Sequence, residues 1–367
     1  MSVFAPLAAI AVLAVLILVH EFGHFIAARS QGIYVNRFSL GFGPVIWKYQ
    51  GAQTEYAIRA FPLGGFVGFP DDDPESDIPA NDPNLLRNRP ILDRAIVISA
   101  GVIANLIFAY FLLVTQVGFV GIPQPSQPQP GVLIQQLAPN VSSVAAKAGI
   151  QKGDVILAAN QRQFGASQQE LEALREIIKT NPDKPIQLEI ARDDQKLSLT
   201  VVPEAKANGE GSIGIGLAPN VKLERRPVSN PVEAFKTGAK EFQRIVSLTF
   251  LGFGQLITNF GETANQVAGP VRIVEIGANI AQNDTASLFF FAALISINLA
   301  VINILPLPAL DGGQLAFLLI EGLRGKPLPN RVQEGVMQTG LVILLGLGIF
   351  LILKETTQLE WVQKLFQ

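Results

Sequence analysis

The feature that most constrains this chain is His20-Glu21-Phe22-Gly23-His24, set inside an apolar run that ends near Ala28. His20 and His24 are the only two histidines in 367 residues. On a helix, side chains four positions apart share a face, separated by about 40° and roughly 6 Å of rise. The two imidazoles can therefore hold one metal ion between them. Glu21 stands beside the first, where a carboxylate can reach water that the ion activates. Residues 2–19 carry no charge, and the run totals about 25 residues, enough to cross ~30 Å of hydrocarbon with some tilt. A signal peptide would carry a basic n-region, and no Lys or Arg precedes Arg29.

Apolar residues make up 49% of the chain and charged residues only 16%, against about 25% in ordinary soluble proteins. Mean hydropathy is positive. These values predict a multi-pass α-helical membrane protein with the lipid bilayer as its first partner. A net charge of −2 without a basic cluster argues against nucleic acid. Cys is absent, which excludes disulfides, thiolate ligands and cysteine catalysis. Any further metal ligand must be Asp, Glu or a carbonyl.

Patterning divides the chain. Residues 1–28 form the first span and 29–94 a polar loop with short strands at 34–47 and 56–69. These strands are broken by Gly41-Phe42-Gly43-Pro44 and by Gly64-Gly65. The acidic run Asp71-Asp72-Asp73-Pro74-Glu75 reads as a solvated loop. A second span covers 95–122, with Gly101 and Asn105 inside it. Residues 123–130 read as a stiff Pro-rich linker. A small α+β domain follows over 131–205, with strands at 131–137, 154–159, 185–191 and 196–202 and a helix near 167–179. Its last two strands join at the turn Arg192-Asp193-Asp194-Gln195. Residues 206–284 read as a connector with an amphipathic helix from Pro231, which could lie on the membrane, re-enter it or dock on the bundle. The third span is 285–311, followed by a loop over 312–334, a fourth span at 335–354 and a tail at 355–367.

Orientation follows from Lys and Arg in short loops. Residues 29–90 hold six (Arg29, Arg37, Lys48, Arg59, Arg87, Arg89) and residues 312–334 hold three. Both loops are thus expected in the cytoplasm, with the termini and the 123–284 segment outside. His20 lies about 24 Å along a ~37 Å helix at 1.5 Å per residue, in the cytoplasmic half of the bilayer.

A carboxylate at mid-membrane costs about 2.5–3.5 kcal/mol on insertion scales, so ionisable groups there are functional by default. A catalytic zinc site needs three protein ligands. Asp311 is the best third candidate: it flanks the third span and follows the Pro-broken stretch Asn303 to Leu310. Taken alone, it also reads as an ordinary interfacial Asp at a helix end. Peptide hydrolysis further requires an extended substrate backbone. An edge strand at Tyr56 to Phe61, followed by Gly64-Gly65, could pair with an unwinding substrate helix.

HEFGH in the first span, together with Asn303 to Gly313 containing LDGG, resembles the site-2 protease family of intramembrane zinc metalloproteases. The motif separation and four-span layout are similar to its bacterial regulator-of-sigma-E branch. Ala148 to Ile156 (AGIQKGDVI), with Asn160 after it, resembles the signature of a PDZ domain. Three features depart from the family pattern: Gln161 stands where Gly often follows that Asn, Val102 where Pro often follows the span's Gly, and one PDZ copy is present where many relatives have two. The resemblance implies a fold of four transmembrane helices, a cytoplasmic-side membrane-associated β-hairpin region and an inserted PDZ domain. It further implies a Zn2+ cofactor held by His20, His24 and Asp311, with Glu21 as the catalytic base. Asn303, Pro306 and Pro308 would lie close to the scissile peptide. Expected substrates are single-span membrane proteins pre-trimmed by another protease, such as anti-sigma-factor-like regulators, or signal-peptide remnants. The PDZ domain would bind a peptide or the substrate's exterior segment, or act as a filter. The expected location is the bacterial cytoplasmic (inner) membrane. Two other classes fit parts of the sequence: a membrane metal transporter and a catalytically silent PDZ scaffold.

Overall fold

The computed structural model describes residues 4–73, 76–137, 144–192, 195–206, 209–259 and 268–357. Pro74-Glu75 of the acidic run, Asp193-Asp194 of the expected turn and residues 358–367 of the tail lie outside them. The chain divides into a membrane unit (Met1–Val120 with Pro227–Gln367) and an inserted unit (Gly121–Arg226).

In the membrane unit, α1 spans Phe4–Ser30. Strands β1 (Arg37–Gln50) and β2 (Glu55–Gly68) follow. Helix α2 (Ile91–Thr115) comes next, extended to Val120 by one π-helical turn. Among the described residues, four helices are long and apolar enough to cross a membrane: Phe4–Ser30, Ile91–Val120, Thr285–Ile304 and Arg331–Thr356.

The two long strands bend, and their registers form a small mixed sheet. Residues 37–40 run parallel to 55–58 and antiparallel to 65–68, while 45–50 pairs antiparallel with 55–59. Residues 55–58 are therefore paired on both sides. The sequence reading took Tyr56 to Phe61 as the free edge. The edges are instead 45–50 and 65–68, because the chain folds back at Gly41 to Pro44 and again before Gly65.

The inserted unit contains β3 (Ile122–Leu137), α3 (Val144–Lys147), β4 (Val155–Ala159), β5 (Arg162–Gln163) and α4 (Gln168–Thr180). It continues through β6 (Ile186–Arg192), β7 (Gln195–Val201), β8 (Glu204–Ala205), β9 (Gly211–Ser212) and β10 (Ile215–Arg226). The sheet order is β10-β3-β4-β6-β7, with β5 beside β4. Alternation along β6 buries Ile186, Leu188 and Ile190 against Leu171, Leu174 and Ile178 of α4. Two expectations fail here. Residues 123–130 are not a linker but the first half of β3, paired with 221–226 of β10. Proline tolerates this because that half pairs only with β10, while β4 meets β3 at Val132 and Leu133. The stretch read as connector supplies β9 and β10, so the domain is wider than 131–205.

Back in the membrane unit, α5 is Pro231–Thr258, opened by Asn230, whose side chain accepts from the Val232 amide. Helix α6 (Pro270–Asn283) starts after the Gly269-Pro270 break. The described parts of 231–283, α5 and α6, both pack on the bundle. Ile245 packs with Ala109, Leu113, Ala293 and Ile297, while Ile273 and Ile280 pack on a cluster around Leu16 and Phe291. Helix α7 covers Leu288–Ile304, α8 Asp311–Arg324 and α9 Asn330–Thr356. The expected 312–334 loop is thus largely helix, and Asp311 opens it. Helix α7 stops because Pro306 and Pro308 withhold amides and force extended backbone before them; Leu305 has φ −63° and ψ 142°.

Candidate metal centre

Helix α1 brings the two imidazoles together, with His20 Nε2 3.2 Å from His24 Nε2. The reversal after α7 returns Asp311 to them, its Oδ2 3.2 Å from His20 Nε2 and 3.5 Å from His24 Nε2. Ala309 enables that reversal with φ +68°, a left-handed conformation that costs a non-glycine residue roughly 1–2 kcal/mol. Its amide donates to Met337 Sδ at 3.3 Å, which helps hold the turn.

Donors about 2.0–2.2 Å from a tetrahedral ion lie roughly 3.3–3.6 Å from one another, close to the three separations here. His24 Nδ1–H donates to the Val97 carbonyl at 2.8 Å, which leaves the Nε2 lone pair facing the cluster. Asp311 Oδ2 is buried without a protein hydrogen-bond donor. Lone pairs on two imidazoles and a carboxylate repel at these distances unless a cation lies among them, so the donor set fits a divalent metal.

Gly101 of α2 makes the packing possible. A Cβ there would fall 2.3 Å from His24 Nε2 and 2.7 Å from His20 Cε1. Asn303 Nδ2 lies 3.3 Å from His20 Nε2. On the sheet side, a Cβ at Gly65 would fall 2.8 Å from Glu21 Cγ, and Val67 lines the same cavity as Glu21. The edge segment 65–68 thus runs directly past Glu21.

A cavity of about 610 Å3 joins His20, Glu21, His24 and Asp311 with Gly65 and Arg94. Arg94 pairs with Glu321 of α8 there. The structure brings together six of the residues singled out in sequence: His20, Glu21, His24, Asp311, Asn303 and Gly65. Gly64 instead faces the Phe42 ring, Pro306 is exposed and Pro308 packs on Gly340 at a separate groove. The roles of Val97, Arg94 and Glu321 come from contacts between helices and carry no local signal in the sequence.

The inserted unit has a groove of its own, about 400 Å3, between α4 (Arg175, Ile178, Lys179) and residues Ile213 to Leu217. β10 is an edge of the described sheet. The alternating glycines Gly211-Ser212-Ile213-Gly214-Ile215-Gly216 were the missed signal, and Gly214 takes φ +74°.

Residues 8–347 match the model of peptidase family M50. The chain belongs to this family, the site-2 proteases. As a family M50 member it is a membrane metalloprotease, with four membrane helices around the cluster and an α+β unit inserted between the second and third. A putative zinc metalloprotease of Nostoc is 81% identical, covering 98% of this chain and 99% of its own. The chloroplastic membrane metalloprotease ARASP of Arabidopsis thaliana is 45% identical, covering 98% and 80%. The regulator of sigma-E protease RseP of Escherichia coli is 30% identical, covering 93% and 96%. Among solved structures, the PDZ domain of an SdrC-like protein from Listeria innocua is 19% identical, covers 24% of this chain and 96% of its own, and has a TM-score of 0.21.

Proposed function

We propose that this M50 protease is a zinc endopeptidase that cleaves single-span proteins within the bilayer, in the cytoplasmic half of the bacterial inner membrane. The observation that carries the reading is the meeting of His20, His24 and Asp311 beside Glu21 in a cavity walled by a sheet edge. His20, His24 and Asp311 are the residues that would hold zinc. When bound, zinc supplies Lewis acidity, making water a nucleophile near neutral pH and polarising the scissile carbonyl. Glu21 takes the water proton on a carboxylate oxygen and passes it to the leaving amine nitrogen.

The 65–68 edge offers backbone groups to a substrate strand, and Gly65 allows that strand to approach Glu21. A helix entering the site must unwind before its peptide bonds are accessible, and strand pairing replaces the hydrogen bonds it loses. Asn303 holds the His20 side of the site. Substrates of this reading are regulators of the anti-sigma-factor type, first trimmed outside by another protease, or remnants of signal peptides. The inserted unit is read as a PDZ domain whose β10–α4 groove takes an extended peptide from the substrate's exterior segment. The positive-inside count supports an outside location for it and for both termini.

Purified protein is expected to hold about one zinc per chain and to cut a synthetic transmembrane peptide. Glu21→Gln should keep the zinc and lose the cutting. Cleavage that survives this substitution overturns the assignment.

A further inference from the structure

Helix α2 carries one residue that the mechanism above does not use. Asn105 is fully buried, at 0% exposure, and neither its Oδ1 nor its Nδ2 has a partner among the described residues. Leaving one buried amide group unpaired costs about 1–3 kcal/mol, so an Asn retained in an apolar span calls for a polar counterpart. The metal cluster contains one. His20 Nδ1 is also buried and unpartnered.

The helix registers bring these two orphans to the same level. Gly101 of α2 faces His24 and His20 of α1. Phe108 of α2 packs on the cluster around Leu16 of α1. Residues 101, 105 and 108 share one helical face, so Asn105 lies between those two contacts, as His20 lies between Leu16 and His24. The Asn105 carbonyl is fixed from α7, accepting from Ser296 Oγ at 2.9 Å.

A histidine that ligates a metal through one nitrogen almost always donates the other N–H to a carbonyl, carboxylate or water, which fixes its tautomer and its aim. His24 has such a partner in the Val97 carbonyl. We propose that Asn105 is the corresponding positioning residue for His20: its Oδ1 accepts the Nδ1–H through one buried water and holds Nε2 on the metal. Both ligands of the HExxH motif are then oriented by α2, one by a backbone carbonyl and one by a side chain. A neutral amide suits this depth, because it accepts the bond without adding a third carboxylate beside Asp311 and Glu21.

The proposal rests on the zinc reading above, and the test separates the two. Zinc affinity is measured by chelator competition on the full-length, detergent-solubilised chain for wild type, Asn105→Leu and Asn105→Asp. The Leu variant should bind zinc about 10–100-fold more weakly, and the Asp variant, which keeps an acceptor oxygen, should recover most of that loss. The melting temperature of the zinc-free Leu variant should equal or exceed that of wild type, because an orphaned amide has been removed. Wild-type zinc affinity in the Leu variant overturns the assignment. So does an equal loss in both variants accompanied by a lower zinc-free melting temperature, which marks a packing role. A wild-type chain that holds no zinc overturns the functional reading itself.

Discussion

The two units treat buried polar groups in opposite ways. In the inserted unit, Asp154 is only 1% exposed yet fully engaged: Arg192 donates to both its oxygens at 2.7 and 2.8 Å, and the Gln151 amide donates at 2.7 Å. Its burial tends to raise the carboxyl pKa, and the Arg192 and Gln151 hydrogen bonds more than offset this, so the pKa lies below the usual value. In the membrane unit, His20 Nδ1, the Asn105 side-chain amide and Asp311 Oδ2 are buried without hydrogen-bond partners among the described residues. A soluble domain closes its polar networks to stabilise its own fold. A site that must receive a metal and a substrate leaves groups open toward them, and where they cluster marks the chemistry.

The strongest way to break this comparison is at Glu21. Glu21→Gln should lower the cleavage rate about 10²–10⁴-fold while zinc content, read by atomic absorption, stays at the wild-type level. Gly101→Ala comes next. Its methyl would collide with both imidazoles, and zinc affinity should fall by more than about tenfold, with the inserted unit's hydrogen exchange unchanged.

Asp154→Ala tests the other unit. It leaves Arg192 without its buried partner and should destabilise residues 121–226 by about 1.5–3 kcal/mol, seen as faster local hydrogen exchange, with zinc affinity unaltered. A change in zinc affinity here would end the separation of roles.

The same carboxylate sets a pH dependence. Its folded pKa lies below the unfolded value of about 3.9, so its contribution is complete above that value. It is lost as pH falls through the depressed folded value. Protection of the inserted unit should therefore hold at neutral pH and decline below about pH 4. The smallest effect belongs to Glu172→Ala, which removes an exposed partner of Arg175. It should shift stability by less than about 0.5 kcal/mol.

Legibility in the sequence was uneven for physical reasons. Uncharged runs and an i, i+4 pair are local signals, so the spans and the HExxH pair could be read directly. The strands expected at 154–159 and 185–191 are found within a residue of those bounds. The Pro-rich 123–130 segment misled because prolines usually mark a linker, and only the pairing with β10, nearly a hundred residues later, makes it a strand. The substrate-side edge was misplaced because β1 and β2 each bend within a single apolar run. Nothing in Tyr56 to Phe61 reveals neighbours on both sides.

The sequence by itself determined apolar spans, an HExxH pair in the first of them and a folded insert, all of which rest on composition and on spacings within one helix. Asp311 was a candidate third ligand that the family resemblance implied. Tertiary structure decided that Val97 orients His24, that Gly101 admits both rings, that 65–68 is the edge beside Glu21, and that Asn105 stands level with His20. Each of those follows from how elements distant in sequence pack together. Such contacts depend on helix register and on where the chain reverses, which no local pattern of residues records.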